Sequence, residues 1–315
     1  MVQGHLPVLK NEVLQALAIQ ANGIYIDVTY GRGGHSRAIL QQLGACGRLL
    51  VMDRDPDAIT HARQHMAHDA RCTVLHARFS QLTEKLRNRN LEGRVSGILF
   101  DLGVSSPQLD TASRGFSFRQ HGPLDMRMDC DSGPSAAAWL ARVEEKELAA
   151  TLRNFGEERY ARRIAHRIIA RRQTQAIETT DDLSALVAAA VPSREPGKHP
   201  ATRTFQAIRM QVNQELQELE AVLPQTLTWL RPGGRLAVIS FHSLEDRLVK
   251  RFVREQAKGD PYPPDLPVRF DQLSPALRLL GKPLRARDDE LECNPRARSA
   301  VLRVAERLPA RQDHA

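Results

Sequence analysis

The chain of 315 residues is about two domains' worth at roughly 100–200 residues per domain, which argues against a single small binding module; 42% hydrophobic and 26% charged residues rule out disorder and a collagen-like fibre. The net charge is +8, the pI is near 9.7, and of 45 basic side chains only seven are lysine. Arginine grips phosphate with a planar fork and stacks on bases, so this excess favours an RNA or DNA partner over solubility alone.

Residues 1–10 lack the apolar segment of a targeting signal, and no run approaches the roughly 18 apolar residues of a membrane span, so a cytoplasmic protein without a membrane partner is expected. Residues 23–29 read as a first strand, followed by Tyr-Gly-Arg-Gly-Gly-His-Ser at 30–36. A helix over 36–43 is expected to be capped by Ser36. Residues 48–53 form a nearly continuous apolar strand, and Asp55-Pro56 opens a helix to about residue 67. A third strand at 72–75, a polar helix near 82–88 and a fourth strand at 95–100 follow, the last running into Asp-Leu-Gly-Val-Ser-Ser-Pro-Gln at 101–108. This alternation is the signature of parallel βαβ units and predicts an α/β, Rossmann-like sheet.

The next convincing strand is 235–240, introduced by Arg-Pro-Gly-Gly at 231–234. A βαβ unit takes about 30 residues or somewhat more, so roughly a hundred residues are inserted between strands four and five. Segments 135–140, 144–155, 157–172 and 180–190 read as helices, with a breaker at 192–200. A helix over 201–223 returns the chain to the sheet, 244–256 is a helix, 261–267 a proline-rich loop and 299–305 a last strand. The expected organisation is a discontinuous sheet domain, 1–110 with 213–315, and an inserted helical substrate-recognition domain, 111–212.

The four cysteines, Cys46, Cys72, Cys130 and Cys293, form no Cys-x-x-Cys pair, and the eleven histidines are dispersed, so neither disulfides nor a metal site is expected. In an open parallel sheet ligands bind at the carboxyl ends of the strands, where the loops carrying Gly31, Gly33, Gly34 and His35, then Asp53, then Asp101 should converge. Asp53, 22 residues after Gly31, stands where an acid accepts hydrogen bonds from a ribose diol. The glycine loop lacks the final glycine of the dinucleotide fingerprint. It fits a nucleoside-containing cofactor without separating a nicotinamide dinucleotide from S-adenosylmethionine. Asp101 and the Ser105-Ser106 turn behind it offer acceptors that suit an exocyclic amine better than hydride transfer.

The runs 26–36, 100–110 (Phe-Asp-Leu-Gly-Val-Ser-Ser-Pro-Gln-Leu-Asp) and 114–118 (Arg-Gly-Phe-Ser-Phe) resemble the ribosomal RNA small subunit methyltransferase H family, also called MraW. So do 122–129 (Gly-Pro-Leu-Asp-Met-Arg-Met-Asp), 199–205 (His-Pro-Ala-Thr-Arg-Thr-Phe), 234–247 and 294–299, in the family's order. The resemblance implies a class I methyltransferase sheet with an antiparallel last strand and a helical domain inserted between strands 4 and 5. The implied activity is S-adenosylmethionine-dependent methylation of the N4 amine of one cytidine in small-subunit ribosomal RNA at the decoding centre. It also implies cofactor contacts at Gly33, Gly34, His35, Asp53, Phe79 (beside the adenine), Asp101 and Gln108.

Amino-methyltransferases usually carry Asp/Asn/Ser-Pro-Pro-aromatic after strand four; here the turn runs Asp-Leu-Gly-Val-Ser-Ser-Pro. The amine-orienting group is therefore left between Asp101 and Ser105-Ser106, with His242 a lesser candidate. Carbon-5 methylation of cytosine needs a thiolate nucleophile, and no cysteine falls in a strand-end loop. Arg159, Arg163, Arg167 and Arg171 at four-residue spacing form an expected phosphate-facing stripe. Arg285, Arg287, Arg296, Arg298, Arg303 and Arg307 add a basic segment, and Phe116, Phe118 and Arg119 are candidates for stacking the target base. A homodimer is compatible with the sequence. The alternatives are a nicotinamide dehydrogenase and a non-catalytic ribosome-assembly factor that binds RNA on a cofactor fold.

Overall fold

A computed structural model describes residues 6–192, 197, 199–259 and 273–310. The chain divides into two compact units, Met1–Gly103 with Leu216–Ala315, and Val104–Glu215.

The first unit is built on seven strands, β1 Ile24–Asp27, β2 Arg48–Asp53, β3 Cys72–His76, β4 Val95–Asp101, β5 Leu230–Ser240, β6 Leu277–Leu279 and β7 Val301–Arg307. Their order across the sheet is β3-β2-β1-β4-β5-β7-β6. The pairings from β3 to β5 are parallel, with Ile26 facing Leu50 on one side and Ile98 on the other; β7 runs antiparallel to both β5 and β6. This is the class I methyltransferase sheet that the resemblance implies, with its antiparallel closing strand. Strand order reverses between β1 and β4, the switch point at which such sheets open a ligand crevice. The strands are apolar on both faces because helices cover both: Ile26, Met52, Ile98, Phe100 and Val238 belong to one core, and Tyr25, Leu49, Val51, Leu99 and Ile239 to the other.

The helices in the amino-terminal part of this unit are α1 Lys10–Leu17, α2 Gly34–Gln42, α3 Pro56–His65 and α4 Leu82–Leu86. In the second unit lie α5 Ser106–Asp110, α6 Ala136–Arg142, α7 Glu145–Gly156, α8 Ala161–Arg172, α9 Thr180–Ala190 and α10 Thr202–Val212; α11 Glu215–Trp229 leads back to β5, and α12 Ser243–Lys258 and α13 Asp288–Cys293 follow. Asp55 caps α3 by accepting from Asp57 N–H at 3.0 Å, with Pro56 in the first turn, as its sequence predicts. In the second unit, Leu148, Leu152, Ile164, Ile168, Leu183 and Val187 interlock α7, α8 and α9 around a separate core.

Several expectations are corrected. Helix α2 starts at Gly34, with Gly33 at its N-cap, and Ser36 is buried inside it. A single helix over 201–223 is instead α10 and α11, broken where Gln214 adopts φ 53°. The turn at 231–234 lies within β5, whose register against β4 shifts between Val95 and Gly97. The last strand has the expected length but lies two residues later than 299–305, and α1, α5, α13 and β6 have no counterpart in the sequence reading. The proline-rich stretch 261–267 lies outside the described residues, as does most of 192–200.

Candidate functional site

The glycine loop after β1 is tied to its neighbours by main-chain hydrogen bonds. Tyr30 N–H donates to Met52 O at 2.9 Å, and Gly33 N–H closes a turn onto Tyr30 O at 2.7 Å. Gly33 has φ 70°, and a Cβ placed there would stand 2.6–2.7 Å from the Tyr30 ring, so this position requires glycine. Because α2 begins at the next residue, its first N–H groups have no acceptor within the helix, and a helix N-terminus favours negative charge.

Asp53, at the end of β2, accepts from Gly31 N–H at 2.8 Å and from Asp55 N–H at 2.9 Å. These bonds fix the carboxylate beside the glycine loop and leave acceptor capacity for a diol. Burial pushes its pKa up to about 6, against the lowering effect of the two N–H donors. Phe79, in a 3-10 turn just after β3, packs edge-on against Phe100 with ring centroids 6.2 Å apart.

Asp101 ends β4. Its N–H donates to Thr29 Oγ1 at 2.6 Å, and its Oδ2 lies 3.6 Å from His35 Nε2. Its Oδ1 is buried without a hydrogen-bond partner among the described residues, although the side chain as a whole is 26% exposed. Burial, with the negative charges of Asp27 and Glu245, pushes the Asp101 pKa up to about 8. The next loop, after β5, brings His242 to the N-cap of α12, where Glu245 accepts from Phe241 N–H at 2.9 Å and His242 N–H at 3.1 Å.

Gly33, Gly34, His35, Asp53, Phe79, Asp101 and His242 therefore all stand at the carboxyl ends of strands in the first unit. Sequence reasoning missed three residues that shape this end. Asp27 is 1% exposed, accepts from Ser36 Oγ at 2.5 Å and from Thr29 N–H at 3.1 Å, and has its pKa raised by burial. An acid closing an apolar strand was the available signal. Tyr30, whose hydroxyl pairs with His61 Nδ1 at 2.9 Å, gave no local signal, since its partner depends on the fold, whereas Glu245, three residues after the N-cap His242, had a local one in its capping-box spacing.

The remaining candidates belong to the second unit. Ser105 sits at the N-cap of α5, its N–H donating to Gln108 Oε1 at 2.9 Å, and Gln108 is buried. The base-stacking expectation is corrected for both phenylalanines. Phe116 is buried, with the Arg114 guanidinium 5.9 Å from its ring centroid, and Phe118 is packed between His199 (4.5 Å, stacked) and Phe205 (5.3 Å, edge-on). The four-arginine stripe is corrected to three: α8 begins at Ala161, so Arg163, Arg167 and Arg171 lie exposed on it, while Arg159 precedes it and lies over the Tyr160 ring at 5.6 Å. In the first unit, Arg303 is held by both Asp246 oxygens at 2.6 and 2.9 Å, and Arg307 donates to Ala276 O and Leu227 O, which removes both from the expected phosphate contacts.

No helix among the described residues is long and apolar enough to cross a membrane, and no group of three or more His, Cys, Asp and Glu residues among them is arranged to hold a metal.

A family model described as the MraW methylase family matches residues 2–308. A Thiobacillus denitrificans protein named ribosomal RNA small subunit methyltransferase H is 56% identical over 309 residues, 98% of each chain. A Thioalkalivibrio sulfidiphilus protein of the same name is 56% identical over 305 residues, covering 96% of this chain and 97% of that one. Among solved structures, a putative rRNA methylase from Clostridium thermocellum aligns with 96% of this chain and all of its own at TM-score 0.45 and 10% identity.

Proposed function

The chain belongs to the MraW methylase family, and from that premise we propose that it transfers a methyl group from S-adenosylmethionine to the N4 amine of one cytidine in small-subunit ribosomal RNA, near the decoding centre. The observation that carries the reading is the convergence, at the switch point of the sheet, of a glycine loop that excludes a Cβ, an acid fixed beside that loop at the end of β2, and a carboxyl at the end of β4 with one buried oxygen that has no partner among the described residues. Family membership replaces the dehydrogenase reading.

These residues fit the cofactor. Asp53 would hold the ribose hydroxyls, Phe79 would take the adenine, and Gly33, Gly34 and His35 would line the remainder, with Gln108 the further contact that the family resemblance implies. S-adenosylmethionine supplies a methyl group already activated by its sulfonium charge, so the protein's task is to orient the amine, exclude water and receive a proton. Cytosine N4 is a poor nucleophile because its lone pair is delocalised into the ring. Asp101, whose Oδ1 has no partner among the described residues, would accept a hydrogen bond from the amine and take the proton released as the N–C bond forms and the methyl–sulfur bond breaks, leaving the neutral thioether. With a pKa of about 8 the group is largely protonated at neutral pH in the free protein; a positive charge brought beside it favours the carboxylate, the form that accepts a proton. Ser105 and His242 are the other candidates for holding the amine. Arg163, Arg167 and Arg171 supply phosphate contacts from the second unit, which takes the substrate-recognition role.

Transfer to N4 rather than carbon 5 is supported by the cysteines. Cys46 precedes β2, Cys72 opens β3 with its thiol pushed up to about 11 by burial, Cys130 is in the second unit and Cys293 ends α13. None stands in a loop at the carboxyl end of β1, β2, β4 or β5. The test is transfer of labelled methyl to small subunits, large subunits and naked RNA, followed by mapping of the modified base. Label on N4 of one small-subunit cytidine is expected; label at carbon 5, or only in large subunits, overturns the reading.

A further inference from the structure

Helix α12 descends from the site-end loop that carries His242, and its two faces differ sharply. Glu245, Val249, Phe252 and Val253 are buried against the sheet, whereas Arg247, Arg251, Arg254 and Lys258 are exposed at spacings of four, three and four residues, which places them on one stripe. At 1.5 Å per residue the stripe runs for about 16 Å. Lys250 flanks it, half-buried, and among the described residues the exposed acids of α11 and α12 are Glu220 and Glu255. Glu220 meets Arg251 at 3.0 Å, but both side chains are more than half exposed, so water screens the pair and the guanidinium keeps donors for another acceptor.

We propose that this stripe is a second RNA-binding track, on the catalytic unit, that holds the phosphate backbone of the substrate strand beside the site. The inference rests on the ribosomal RNA reading above. Three of its four cations are arginine, suited to forked contacts with phosphate, and the stripe begins within about one and a half turns of His242, so a strand leaving the site along α12 would meet them in succession. No contact of Arg251, Arg254 or Lys258 among the described residues reaches a group assigned to the cofactor or the amine. The stripe should therefore act on RNA affinity and not on the chemical step.

The test compares wild type, an Arg251→Gln/Arg254→Gln/Lys258→Gln variant, and an Arg87→Gln/Arg89→Gln/Arg94→Gln control that removes the same charge from exposed positions near the amino end of β4. Binding of labelled naked small-subunit ribosomal RNA is measured across a salt titration, alongside methyl transfer to small subunits. Each single-strand phosphate contact contributes about 0.7 to the salt slope, so the stripe variant should lose up to about 2 in slope and up to about 100-fold in affinity at 0.1 M salt, converging on wild type near 1 M. Its kcat at saturating RNA and its S-adenosylmethionine affinity should be unchanged, and the control should bind like wild type. A wild-type slope in the stripe variant or an equal loss in the control overturns the proposal. If wild type transfers methyl to small subunits while the stripe variant keeps its slope, the stripe alone falls. If wild type methylates no ribosomal RNA, the functional reading falls, and the slope comparison still decides whether the stripe binds RNA.

Discussion

Replacing Asp101 by Asn should make the ligand-free protein more stable and less active, with a pH signature that identifies the cause. The native carboxyl titrates at about 8 against 3.8 for an unperturbed group, so between those values the folded state holds a proton that the unfolded chain has released. Stability contributed by this group is therefore greatest below pH 3.8 and is lost as pH rises to about 8. One pKa unit is about 1.4 kcal/mol, which makes the cost of Asp101 roughly 1.7 kcal/mol at pH 5 and, as an upper bound, nearly 6 kcal/mol at pH 9. Asn keeps an oxygen near His35 Nε2 but carries no charge into the buried site. The stability gap between Asp101→Asn and wild type should thus widen by up to about 4 kcal/mol from pH 5 to pH 9, which at about 2–4 °C per kcal/mol is roughly 8–16 °C in Tm. Thermal unfolding of both proteins at the two pH values measures this directly. A gap that stays constant across the range refutes the argument that burial beside Asp27 and Glu245 holds this carboxyl protonated. Methyl transfer should fall steeply in the same variant, because the amide cannot receive the amine's proton.

Gly33→Ala forces a left-handed residue worth about 1–2 kcal/mol of strain and drives the Tyr30 ring aside, so calorimetric titration should show S-adenosylmethionine affinity reduced tenfold or more; unchanged affinity would remove the backbone cradle. Arg209→Ala leaves Glu215 buried without the guanidinium that now meets it at 2.7 and 2.8 Å, and should lower the urea midpoint of the second unit by an amount corresponding to about 3–5 kcal/mol, with Arg209→Met/Glu215→Leu recovering most of it. His242→Ala should reduce turnover less than Asp101→Asn and leave cofactor affinity intact; full turnover would take His242 out of the site. Neutralising Arg163 and Arg167 together should flatten the salt dependence of RNA binding by about 1.4, and an unchanged slope would remove α8 from the interface.

The strand-helix alternation of the first hundred residues was legible because period, turn residues and caps are local: Asp55-Pro56 announces α3, and apolar runs announce β2 and β4. The same locality made Asp53 and Asp101 visible as acids at strand ends. Burial and pairing between distant segments were not legible. Ser36 reads as a cap but is turned inward by Asp27, Arg303 reads as a free cation but is claimed by Asp246, and Phe118 reads as a stacking platform but is occupied by His199 and Phe205.

By itself, then, the sequence determined the α/β class, the arginine-rich charge and the acids Asp53 and Asp101 at the ends of their strands, since each is written in neighbouring residues. Only the tertiary structure decided that Asp101 is buried at the end of the sheet and that Asp27 and Glu245, from two other stretches of chain, add to its cost of ionisation. Desolvation and charge repulsion act through space, and no spacing along the chain records the distances over which they act.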